Sequence, residues 1–149
     1  MRRCFLLFLL PALVGAKDRG LGRWHFDPQA SRYESGPPPR QSVREWSMHN
    51  GHAIFLHQGV DSAGNPFRTT FTAGYDGRPG RVEGASRYDA VSLSLRNDST
   101  VDQIFTKDGQ ITVETTRTIS PDGNSMFIIA VGKHADGRPF RNFLVYRKR

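Results

Sequence analysis

Residues able to do chemistry are few in this chain, and most stand apart from one another. Of five histidines, His49, His52 and His57 form the nearest approach to a metal-binding group. If the run from Ala53 to Gln58 is a strand, His52 and His57 lie an odd number of positions apart and face opposite sides. They read as turn and surface histidines, and no metal is expected. The carboxylates Asp89, Asp98 and Asp102 stand near turns or strand ends. None pairs at a spacing that sets a general acid beside a base. There is no H-E-x-x-H, no G-x-S-x-G and no glycine loop shaped to cradle phosphate. Neither catalysis nor a cofactor is expected.

Two charged residues fall where their neighbours are apolar. Arg117 shares strand parity with Ile111, Val113 and Ile119, so strict alternation turns its guanidinium inward. A buried guanidinium needs an anion, because leaving it unpaired is costly. It is therefore an anchor for a ligand carboxylate or phosphate, an internal partner of Glu45, or a residue turned to solvent by a bulge. Glu45 shares parity with Val43 and by the same logic points inward. Phe71 and Tyr75, on one parity with Phe67 and Ala73, complete the lumen candidates Arg117, Glu45, Phe71 and Tyr75.

The elements that must position these residues are strands. Val91, Leu93 and Leu95 alternate with Ser92, Ser94 and Arg96, and the same period of two recurs around Phe71 and Val113. One apolar and one polar face describe an antiparallel sheet with one wet side. Turn signals arrive at regular spacing: Asn50-Gly51, Gly64-Asn65, Asp76-Gly77, Asp108-Gly109, Asp122-Gly123 and Asp136-Gly137. No stretch after the first segment carries a helical period. The pattern predicts an all-β fold of eight to ten strands in sequential hairpins, closed as a small up-and-down β-barrel. Asp27 to Arg40, with three consecutive prolines at Pro37 to Pro39, reads as an irregular crossing. Gly59 to Arg68 and Gly132 to Arg141 share five of ten residues, which suggests one hairpin device used twice.

The 149 residues suffice for a single domain. Residues 1–16 read as a secretory signal: Arg2 and Arg3, an apolar run from Cys4 to Val14, then Val14 and Ala16 as small residues before a cut at Lys17. The domain is then 17–149, with no integral membrane segment after cleavage and a secreted or periplasmic location. The lone cysteine lies in the leader, so thiol catalysis, Cys-ligated zinc and disulfides are excluded from the rest. The formal charge is +7, with the cations spread along the chain rather than gathered into a stripe, so no nucleic-acid partner is expected.

Gly22-Arg23-Trp24 at the first strand and Val145-Tyr146-Arg147-Lys148 at the last resemble the calycin superfamily, the lipocalins and fatty-acid-binding proteins. The resemblance implies that Trp24 is a floor tryptophan and that Arg147 caps it. The succession SRYESGPPPR, GVDSAGNP, YDGRPG, RYDAVSLSLRND, SPDGNS and VYRKR is similar to a group of uncharacterised exported bacterial proteins of lipocalin-like type. That similarity implies fold and compartment but no activity. Leu144 stands where fatty-acid-binding proteins carry the Arg of their carboxylate clamp, so an anionic ligand is expected to depend on Arg117 instead. The leading expectation is a lipocalin-like module binding a small, partly apolar molecule. Its rivals are an interaction or inhibitor module on a side-chain-filled barrel, and an enzyme on the barrel. Lumen volume separates the first two, because inward aromatics such as Phe67, Phe71, Phe105, Phe127 and Tyr75 could fill the barrel and leave no pocket.

Overall fold

The computed structural model describes residues 17–149, in which ten strands and no helix occur. The expected leader, 1–16, lies outside the described residues. The strands are β1 (Gly22–Phe26), β2 (Gln41–His49), β3 (His52–Val60), β4 (Pro66–Ala73), β5 (Gly80–Glu83), β6 (Ala90–Asn97), β7 (Thr100–Lys107), β8 (Gln110–Ile119), β9 (Ser125–Lys133) and β10 (Pro139–Lys148). Each pairs antiparallel with its neighbour in the chain, and β1 also pairs with β10, so the sheet closes into an up-and-down barrel. Closure removes both edges, which is what so many short strands require. No helix among the described residues is long and apolar enough to cross a membrane.

The turns follow from their residues. Asn50-Gly51 and Asp108-Gly109 hold positive φ at both positions (49° and 75°; 49° and 78°). This is the mirror-image turn whose twist matches the flanking strands. The repeated segments are two hairpins at the same end of the barrel. Pro66 and Pro139 each open the second strand, and Phe67 and Phe140 follow them on the inner face.

Alternation sets the inner face: Trp24 and Phe26; Ser42, Arg44 and Trp46; Phe71 and Ala73; Val91 and Leu93; Met126 and Ile128; Leu144 and Tyr146. Three expectations are corrected by one-residue parity. Glu45 faces outward and pairs with Arg23 at 3.1 Å, because Trp46 takes the interior and forces its neighbour to the opposite side. Arg147 likewise points out beside the buried Tyr146. There its Nε donates to Asp27 Oδ2 (3.0 Å) and its Nη1 to Ser125 Oγ (2.6 Å). The cation over Trp24 is Lys148, its register partner, with Nζ 5.3 Å from the ring centroid. Ile111, expected on the inner face, is 59% exposed, beyond a register irregularity opposite Phe105 and Thr106.

Candidate functional site

The barrel interior is solid at one end and hollow at the other. At the solid end Trp46, Phe55 and Phe71 form a continuous aromatic group, with Trp46 and Phe71 each within 5 Å of Phe55 (centroids 4.5 and 4.6 Å). Below them, residues 17–21 fold under the barrel and bring Asp18 inside. Arg117 Nη2 donates to Asp18 Oδ1 at 2.5 Å, and both side chains are fully buried. Gly20 N donates to the same oxygen (2.7 Å), and Tyr75 donates its hydroxyl proton to Asp18 Oδ2. Burial, and then the carboxylate it faces, push the Tyr75 phenol well above its ordinary value. The Arg117 guanidinium also lies 4.5 Å from the Trp46 centroid. It rests so closely on Gly20 that a Cβ there would sit 2.4 Å from Nη1, so a side chain at residue 20 would have to displace the guanidinium from its place beside Asp18.

Arg117 is thus interior, as its parity indicates, but its anion is supplied by the protein. Of the two internal alternatives, the partner is Asp18 and not Glu45. Phe71 is also interior, yet it lies beneath the hollow rather than on its wall, and Tyr75 belongs to the floor.

The hollow half is a cavity of about 440 Å³. Its wall carries Phe55, Phe105, Val113, Ile128, Ala130 and Leu144, with polar groups from Ser42, Arg44, His57, Thr69, Thr115 and Asn142. The proline crossing between β1 and β2 folds across its mouth, contributing Tyr33, Ser35, Pro37 and Pro39. Asn142 fastens this crossing: its Oδ1 accepts from Glu34 N (2.7 Å) and Ser35 N (3.0 Å), and its Nδ2 donates to Ser35 Oγ (2.8 Å). From the facing rim Arg87 donates to the Lys133 carbonyl.

One side of the cavity holds a polar chain. Ser42 Oγ lies 2.8 Å from His57 Nε2 and 2.8 Å from the Tyr146 hydroxyl. His57, expected at the surface, is therefore an interior residue, on the parity of Phe55. Burial first, and the nearby Arg44 guanidinium second, hold its pKa well below 6.5, so it is neutral at physiological pH. Unfolded, the same imidazole takes up a proton near its ordinary value. The unfolded state then binds more protons below that pH, and stability falls as pH drops through 6.5. The slope contributed is about 1.4 kcal/mol per pH unit until the folded imidazole itself protonates. Denaturant titrations between about pH 7.5 and about pH 5.5 should show a loss near 1 kcal/mol that His57→Gln flattens. An equal loss in both proteins would show that His57 is not the titrating group.

Arg44 is the residue that sequence reasoning passed over. It lies two positions from Trp46 on the inner parity, with its guanidinium carbon 4.9 Å from the Tyr146 centroid and 5.8 Å from that of Phe55. The bulky Trp46 was the available signal for the parity of β2. Among the described residues no group of three or more His, Cys, Asp or Glu is placed to hold a metal ion. No family model matches the chain, and no curated protein or solved structure shows significant similarity to it.

Proposed function

We propose that the protein is an exported binding module whose half-hollow barrel holds a small, partly apolar molecule. The observation that carries this reading is the cavity of about 440 Å³ at one end of a closed barrel. Small-molecule sites typically measure roughly 300–1,000 Å³ and combine apolar walls with a few converging polar groups. The solid floor closes one end of the barrel, so a ligand enters and leaves at the other, where the proline crossing lies. The apolar leader-like residues 1–16 support export.

A neutral apolar dye, N-phenyl-1-naphthylamine, tests the reading without presuming a ligand charge. Its fluorescence should rise on binding, and Ala130→Trp, which fills the cavity from β9, should weaken that binding at least about tenfold. Unchanged binding by a folded Ala130→Trp protein would place the dye elsewhere and sink the lumen reading. Native mass spectrometry of protein from its own source would then identify the molecule carried.

The rival reading, an interaction or inhibitor module, draws on the outer face of β9 and β10. There Phe127 and Phe143 stack (6.1 Å, 12°) beside the partly exposed Ile129 and Val131. Phe127 was expected to help fill the barrel. It faces outward because Met126 and Ile128 hold the inner parity. That rival requires a side-chain-filled interior, whereas the upper half of the barrel holds the cavity.

A further inference from the structure

We propose that the cavity takes its ligand head first, as an amphipathic monoanion whose carboxylate sits on Arg44. This rests on the lumen-binding reading and adds the charge and orientation of the occupant. The interior contains two guanidinium groups with different provisions. Arg117 has Asp18 at 2.5 Å. Arg44 has no ion-pair partner among the described residues, and its Nε, like Nε and Nη1 of Arg117, is buried without a hydrogen bond. Arginine cannot shed its proton, so this site stays cationic at any working pH. Aromatic faces of Tyr146 and Phe55 offset part of the cost of holding this partly buried charge in the barrel. They supply no acceptor for its N–H groups.

The surroundings define what completes the site. Ser42, His57 and Tyr146 are neutral neighbours, so Arg44 is the charge around which the inner end of the cavity is organised. One planar guanidinium suits one carboxylate, which accepts two parallel N–H bonds. A phosphate dianion would leave charge uncompensated here. If His57 Nε2–H donates to Ser42 and Ser42 to Tyr146, the phenol proton remains free for a ligand oxygen. Between Arg44 and the rim the wall offers Phe67, Phe140, Tyr88, Pro37 and Pro39 to an apolar tail, while Ser35, Asp61, Ser62 and Arg87 stand at the rim itself. A carboxylate therefore belongs at Arg44 and an apolar tail between it and the rim.

The test is displacement of N-phenyl-1-naphthylamine by decanoate and by decanol, which share a chain and differ in charge. Wild type, Arg44→Met and Arg44→Lys are compared, and dye binding itself reports that each variant is folded. Decanoate should bind Arg44→Met about ten- to hundredfold more weakly than wild type, while decanol changes by less than about threefold. Arg44→Lys, which keeps the charge and loses the fork, should fall between. Equal displacement by decanol and decanoate in wild type overturns the assignment and leaves the lumen reading standing. So does decanoate affinity that survives Arg44→Met. Failure of the dye to bind wild type removes the lumen reading and this inference together.

Discussion

Asp18→Ala should destabilise the protein by about 3–5 kcal/mol, the range for stranding one member of a buried ion pair. The carboxylate accepts from Arg117, Gly20 and Tyr75, and its removal leaves a fully buried guanidinium with no anion. That loss is a large part of an ordinary domain's margin of about 5–15 kcal/mol. Arg117→Met strands the other member of the pair, the buried Asp18 carboxylate, and should also be destabilising. The double variant Asp18→Leu/Arg117→Met removes both charges and should recover part of the loss, the Gly20 and Tyr75 donors still lacking their acceptor. Denaturant titration of the three proteins decides the matter. A single-variant cost below about 1 kcal/mol, or a double variant no better than Asp18→Ala, would show that the pair does not hold the floor.

Trp24→Ala should cost a comparable amount, about 3–5 kcal/mol. The side chain is 0% exposed, lies under Lys148, and its Nε1 donates to the Gly20 carbonyl at 2.8 Å. Removing it opens a cavity where the ends of β1 and β10 meet and also releases the strap that carries Asp18. Trp24→Phe separates these effects. It keeps most of the apolar volume but leaves the Gly20 carbonyl without its donor, and should cost about 1–3 kcal/mol. If both variants unfold at the same denaturant concentration as wild type, Trp24 is not part of the core. Because Trp24 and Asp18 share Gly20 as a neighbour, their effects should not add.

The barrel was legible because its strands alternate cleanly where one face is wet. β4, β6 and, past the register irregularity near Ile111, β8 show which residues point inward, and the interior position of Arg117 follows from that parity alone. Reading failed where both faces are apolar. In β9 the run Phe127, Ile128, Ile129, Ala130, Val131 offers no contrast, so Phe127 could not be assigned to the outside. In β2 the choice between Arg44 and Glu45 turned on whether Val43 or Trp46 marks the core, and the smaller residue misled. His57 shows the same difficulty: a lone histidine carries no parity of its own, and only its neighbour Phe55 fixes it. The partner of Arg117 was out of reach for a different reason. Asp18 lies in a short polar segment before the first strand, and no periodicity tells that the segment tucks under the sheet. The hollow itself depends on how two layers of side chains fill a cylinder, which composition does not reveal.

The pairing of β1 with β10 has a consequence for how the chain reaches this state. Nine of the ten pairings join neighbours in sequence and can form as local hairpins, whereas Trp24 meets Lys148 only across almost the whole described chain. Hairpins zip quickly, but ring closure is a long-range event that sets a slower folding rate. Until it happens, the partly folded sheet exposes two unpaired edges and an aromatic inner surface, the form most prone to associate with other copies. Clipping β10 would therefore not subtract one strand in ten. It would turn a ring without ends into an open ribbon whose free margins, on β1 and β9, recruit whatever strand comes next.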